Sequence, residues 1–485
     1  MSKDLAKATT REASAGQALD QTVVVRTEPR RSAALQRVTA RARVRTGGVN
    51  PATILTVYVV LLMLVPSRLV VGGLGAVGTM ATIWALVGLL WIAGSWFTRR
   101  IQPLPGSRVP RLVMVPLAVA VMVAYVACGR RDASALEVNA ADRGVILLAA
   151  WWGIVLIGSA VDDLARLKKL LRVLVRCATV AAVIGIAEFF LHRDLLGWLV
   201  IPGLQSNAAT DAVMTRGAFT RPTSTAIHPL ELATTLAMIL PFALQQAFDP
   251  ATKGGVVRRW APVALIAVAS LATVSRSAVI GIVLVFLVLY PTWSSKRRWP
   301  AVGFLIVALG GLKVAIPGFL STITSMFTAW FNGTDTSTQA RVMDYQDVFG
   351  YVAQRPWSGM GFGSFLPAIY RYTDNMYLLA LVEMGIIGVA ALLVLFIAMI
   401  HNGGAARRRL TDPADRELAL SFVAAGVVVL ICTATFDTLS FPMVSGLFFL
   451  LLGLSGALSG LSAQQLTAEG QMLLISKQAS EEVVV

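Results

Sequence analysis

Residues 215–241 read Thr-Arg-Gly-Ala-Phe-Thr-Arg-Pro-Thr-Ser-Thr-Ala-Ile-His-Pro-Leu-Glu-Leu-Ala-Thr-Thr-Leu-Ala-Met-Ile-Leu-Pro. Two arginines, a histidine and a glutamate stand at the mouth of an apolar run. Charge at the edge of a membrane helix is costly, so a use for it is the default expectation. His228-Pro229 marks the helix start, because proline suits the first turn. On that helix His228 and Glu231, three residues apart, share a face.

The rest of the chain repeats the apolar theme. Of its 485 residues 56% are hydrophobic and only 14% charged, whereas a soluble domain is nearer a quarter charged. Apolar runs fall at about 52–66, 76–97, 111–128, 144–161, 171–191, 229–248, 260–275, 277–294, 299–316, 375–400, 417–437 and 441–460. They predict an all-α polytopic transmembrane bundle of about twelve spans over 51–460. Residues 1–50 are expected to be a disordered basic cytoplasmic tail, and 461–485 a polar, frayed cytoplasmic tail. The first apolar run starts too late for a cleavable signal peptide.

The net charge of +16 does not imply nucleic acid, because the basic residues sit in short clusters between apolar runs. With the N-terminus inside, every short inner loop is basic: Arg99/Arg100, Lys168/Lys169, Arg258/Arg259, Lys296/Arg297/Arg298 and Arg407/Arg408/Arg409. That regularity supports the count. Two outer loops stand out by length, 192–228 and 317–374, the latter between spans nine and ten and too long for a mere connector.

Positive charge on the outer side breaks the trend. Arg216 and Arg221 precede span six. Arg276 lies in the tight turn Val-Ser-Arg-Ser-Ala, and Arg341, Arg355 and Arg371 lie in the large loop. Guanidinium groups match phosphate oxygens bidentately and keep their charge, so converging arginines could stabilise a diphosphate leaving group. Asp374-Asn375 opens span ten; Asp374 reads either as the cap of that helix or as a general base. Glu383 lies deeper and must face protein. Gly359-Met360-Gly361-Phe362-Gly363 reads as a tight turn, with Trp357, Phe362 and Phe365 able to stack on sugars or pack. It lacks the Gly-Lys-Ser/Thr of a nucleotide loop. Cys128, Cys177 and Cys432 lie far apart, and the three histidines, His192, His228 and His401, are widely spaced and make no metal set. The loop 66–75 has no acid, which leaves Asp132, Glu137 and Asp142 as the only candidates for a metal-dependent alternative.

Taken in order, Arg216-Gly217, Arg221-Pro222, His228-Pro229, Pro241, Ser275-Arg276-Ser277, Arg341, Pro356-x-x-Gly359-x-Gly361, Asn375-x-Tyr377-Leu378 and Glu383-x-Gly385-Ile386-Ile387-Gly388 resemble the O-antigen ligase and polysaccharide polymerase family of bacterial membrane proteins. The resemblance covers about 215–460. It implies a GT-C-like glycosyltransferase of the bacterial cytoplasmic membrane, independent of metal and of any cofactor, acting on the outer face. Its donor would be a polyprenyl-diphosphate-linked glycan, such as an undecaprenyl diphosphate, and its acceptor a glycan or lipid-linked hydroxyl. By the same resemblance Arg221 (or Arg216) and Arg276 grip the donor diphosphate. A histidine usually precedes the asparagine that opens the span after the large loop; here Asp374 holds that place. Asp374 and His228 are therefore both candidate bases, with Arg216, Glu231, Arg341, Arg371, Asn375 and Tyr377 as candidate substrate-binding residues. A transporter or flippase for lipid-linked glycans is the alternative from another class; the missing internal repeat and the outer arginines weigh against it.

Overall fold

The computed structural model describes residues 50–97, 108–207, 214–216, 218–252, 254–295, 297–299, 301–303, 317–332, 345 and 348–481. Arg341, the basic tail and most of the expected ninth span fall outside these residues. The described helices are α1 (Pro51–Leu64), α2 (Met80–Phe97), α3 (Val109–Gly129), α4 (Ala135–Ser159), α5 (Leu164–Leu191), α6 (Pro229–Phe248), α7 (Val256–Ala272) and α8 (Arg276–Leu289). After them come α9 (Phe319–Phe331), α10 (Met376–Arg409), α11 (Pro413–Cys432) and α12 (Pro442–Glu481). Eleven of the twelve expected spans thus coincide with a helix. Six of these helices, α3, α4, α5, α6, α10 and α12, are long and apolar enough to cross a membrane; α1, α2 and α8 are apolar but shorter.

Local sequence sets where the helices begin. Asn50, Asp163, His228, Asn375 and Asp412 each accept a first-turn amide at an N-cap. Ser134 and Glu137 form a capping box at α4. Proline opens α1, α6 and α11, where its missing N–H costs nothing.

The expected alternation of loops is visible in their contacts. At one end Ser67 bonds Thr225, Arg68 pairs with Asp194, and Arg143 donates to the Gly73 carbonyl. At the other end Lys168 pairs with Asp415, Arg297 with Glu417, and Gln245 donates to the Ala414 carbonyl. Loops assigned to one side of the membrane therefore meet at one end of the bundle. α12 and α6 run through its middle, almost wholly enclosed by protein. α10 packs on α11, α3 and α12. Leu90, Leu112, Leu287 and Ile397 point outward as part of an apolar belt.

The structure differs from the sequence expectation in two places. Four short strands form two antiparallel pairs, β1 (Leu69–Val71) with β2 (Leu204–Ser206) and β3 (Thr215–Arg216) with β4 (Phe219–Thr220). Residues 461–481, expected as a frayed tail, continue α12 as helix. Polarity ends a membrane run, but leucine, alanine and glutamine still favour helix. Within the large loop, α9 and a helix at 348–354 interrupt the connection.

α10 is broken. Gly385 sits at φ 67°, ψ −168°, inside what would otherwise be one helix. The turn at 356–361 is driven into this break: Met360 and Gly361 N–H groups donate to the carbonyls of Val382 and Glu383, and Ile386 donates to that of Pro356. A Cβ on Gly359 would lie 2.3 Å from the Glu383 carbonyl carbon, and one on Gly385 2.3 Å from that of Trp357. Only glycine permits two backbones to approach so closely at positive φ.

Candidate functional site

The arginine loop is built from its apolar underside. Phe219 stacks on Phe189 at the end of α5, centroids 6.1 Å apart. Phe189, Ala272 and Val274 bury together, with Phe219 and Ile323 of α9 packed on them. His192 Nδ1 lies 2.6 Å from Thr220 Oγ1. The β3–β4 hairpin is thereby fixed against the turn between α7 and α8, and it carries Arg216 opposite Phe219.

That placement lets both arginines reach one turn. Arg221 Nε donates to the Thr273 carbonyl at 2.9 Å, and Arg216 Nη1 to the Val274 carbonyl at 3.2 Å. Ser275 follows, and then Arg276 opens α8. The structure thus brings Arg216, Arg221 and the backbone of Arg276 together. Val274 holds φ at 48°. A β-branched residue there is strained, and strain that persists is found at functional sites. Burial, and then the charge of Arg216, lower the Arg221 guanidinium to about 10, so it stays cationic at neutral pH.

His228 belongs to the same neighbourhood. Burial, followed by the charges of Arg221 and Arg216, pushes its imidazole down to about 4. Its Nδ1 accepts the Leu230 N–H at 3.1 Å as the cap of α6. A neutral ring whose Nδ1 accepts carries its proton on Nε2, so His228 presents a donor rather than a base.

Glu231 is fully enclosed. Its carboxylate accepts from the Ile227 N–H at 2.7 Å, the Met443 N–H at 2.7 Å and Ser67 Oγ at 3.4 Å. It ties the arginine loop to the start of α12. A second brace, Glu188, accepts from the amides of Thr223 and Ser224 at 3.1 and 2.7 Å.

Asp374 and Asn375 stand at the start of α10. Asn375, not Asp374, caps α10, its side chain accepting from Tyr377 and Leu378; Asp374 is exposed. Met376 N–H donates to the Thr433 carbonyl, and Thr435 Oγ1 lies 2.9 Å from Ser277 Oγ on α8. The segment between α11 and α12 therefore bridges the Asp374 and Arg276 corners. It carries Asp437, whose carboxyl burial, helped by the charge of Asp374, raises to about 6. Tyr377 spends its hydroxyl on the Leu430 carbonyl at 2.7 Å. Arg371 is half-buried in the segment leading to Asp374. Arg355 donates to the Ala127 carbonyl and so fastens the large loop to α3.

Another cluster holds the glycine turn. Arg131 pairs with Glu137 at 2.5 Å and donates to the Met360 carbonyl, and Tyr370 OH donates to Glu137 at 2.6 Å. Phe362 and Phe365 are buried, and Phe365 stacks on Tyr370; Trp357 remains exposed. Glu383 accepts the Phe365 amide at 3.2 Å. Among the described residues no three His, Cys, Asp or Glu side chains gather as metal ligands.

Compared with curated proteins, the chain matches none. Residues 261–393, about a quarter of the chain, match the family model described as O-antigen ligase. The matched region runs from α7 through the Arg276 turn and the large loop into α10, and it speaks for a membrane protein that transfers glycans, as ligase or polymerase. That match supports assigning this multi-pass helical membrane protein to the O-antigen ligase family.

Proposed function

We propose that the chain transfers a glycan from a polyprenyl-diphosphate-linked donor to an acceptor hydroxyl on the outer face of the bacterial cytoplasmic membrane, with no metal ion taking part. The observation that carries this reading is the convergence of Arg216 and Arg221 on the turn that presents Arg276. Fixed positive charge there would stabilise a departing diphosphate, and its preorganisation lowers the cost of charge development. His228, neutral and donating through Nε2, would add a hydrogen bond without adding charge. At the corner where α10 begins, Asp437, its carboxyl raised to about 6 by burial and by the charge of Asp374, would take the acceptor's proton. A carboxyl near neutrality suits that task. The acceptor oxygen then bonds the anomeric carbon, the bond to the diphosphate oxygen breaks, and polyprenyl diphosphate leaves with the electron pair.

The test is release of polyprenyl diphosphate from a lipid-linked sugar by the detergent-purified protein. Release that depends on an added glycan acceptor is the expected result. A protein that moves the lipid across a bilayer but releases no polyprenyl diphosphate would be a flippase.

A further inference from the structure

The stretch that joins α5 to β2 is apolar where a water-facing loop would be polar. Residues 194–204 read Asp-Leu-Leu-Gly-Trp-Leu-Val-Ile-Pro-Gly-Leu. Leu195, Leu196, Leu199 and Ile201 are half-buried. Trp198, however, is 76% exposed and Val200 80% exposed. Neighbouring apolar groups left out in this way mark a surface that something covers.

The loop is not free to fold the pair away. His192, at φ 54°, turns the chain off the end of α5. Asp194 then accepts the Leu196 N–H at 2.8 Å and pairs with Arg68. Leu199 donates to the Leu196 carbonyl at 2.9 Å, and β2 pairs with β1 beyond. Trp198 and Val200 are thus presented outward by a fastened backbone.

What covers them follows from α5. Val180, Val183, Phe190 and Leu191 are all exposed, and their spacing puts them on one face of that helix. That face is part of the apolar belt and runs to the very end of α5. The loop that follows carries the apolar exposure on beyond the helix. Tryptophan is the residue enriched where a bilayer meets water. Arg193, exposed between Leu191 and the loop, supplies a guanidinium that matches headgroup phosphates.

We infer that residues 195–201 form a lip lying in the headgroup region of the bilayer, with Trp198 and Val200 turned into the lipid. The partner is phospholipid. The lip also sets a depth. One oxygen of Glu188 accepts the Leu195 N–H at 3.3 Å, and the other accepts those of Thr223 and Ser224. A single carboxylate therefore ties the lip to the loop that carries Arg221, and holds that loop at the level of lipid phosphates. The inference goes beyond the transferase reading and does not depend on it.

Nitroxide labels test it on the full-length protein in nanodiscs of phosphatidylcholine and phosphatidylglycerol. Cys128, Cys177 and Cys432 are buried, so a cysteine placed on the lip takes the label. Trp198→Cys and Val200→Cys are labelled separately; the second leaves the tryptophan in place. Oxygen concentrates among acyl chains and a nickel chelate stays in water. With no donor added, oxygen should relax both labels more strongly than the nickel chelate does. The reverse order at either position overturns the lip, since the loop then faces water. A label sheltered from both reagents overturns it as well, since protein, whether a second copy or another partner, then covers the patch. No sugar is transferred in the measurement, so failure of the transferase reading would leave its result unchanged.

Discussion

Arg221 donates through Nε to the carbonyl of Thr273 at 2.9 Å, across 52 positions of sequence. The bond fixes the turn before Arg276 and keeps a half-buried guanidinium beside Arg216. Lysine retains the charge but not the planar fork. Arg221→Lys should therefore lower transfer at least about tenfold, with about 1 kcal/mol of stability lost from the missing bond. Single-turnover transfer and thermal melting measure the two effects, and unchanged turnover would remove Arg221 from the site.

His228 makes a pH prediction. Its folded pKa, about 4, lies below the ordinary histidine value of 6.5, with burial the main cause. The unfolded chain then binds more protons between these values, so the stability due to a neutral His228 is full above about 6.5 and is lost as pH falls through about 4. His228→Asn keeps a capping side chain. Melts of this variant should lose less stability than wild type between pH 6.5 and 4; equal losses would contradict the assignment.

Asp437 should govern the acid side of the rate profile. Its carboxyl is pushed up to about 6, chiefly by burial and further by Asp374. If the ionised form works, transfer rises with pH through about 6. Asp374→Asn removes a raising charge and should move that midpoint to lower pH in whatever activity remains. Asp437→Asn should abolish the step. A profile unaltered by both substitutions would leave proton transfer to other groups.

The break in α10 predicts a structural failure. Gly359→Ala puts a Cβ into the Glu383 backbone at φ 65°. Positive-φ strain and overpacking together should cost on the order of 3 kcal/mol. Melting of the purified variant reads the loss, and a melting temperature matching wild type would show that the turn is not wedged there.

Much of this was legible along the chain. His228-Pro229 announced the start of α6, and basic clusters announced which loops share an end. Arg216, Arg221 and Arg276 drew attention because charge beside an apolar run is costly wherever it lies. The braces were hidden. Glu188 acts on Ser224, 36 positions away, and Glu137 on Tyr370, 233 positions away; no local period records such pairs. Glu231, expected to meet substrate, is occupied by the amides of Ile227 and Met443. Asp374 was read as a cap or a base, and the structure gives the cap to Asn375. Asp437 sat in a short turn without a motif, and only the contact of that turn with Met376 and Ser277 draws attention to it.

The central claim is that charge gathered at the Arg276 turn stabilises a departing diphosphate. Acceptor-dependent release of polyprenyl diphosphate by Arg276→Ala, compared with wild type at matched melting temperature, tests it most directly. The account predicts a folded protein whose release falls by about a hundredfold or more, in line with the loss of a preorganised charge. Release at the wild-type rate would contradict it.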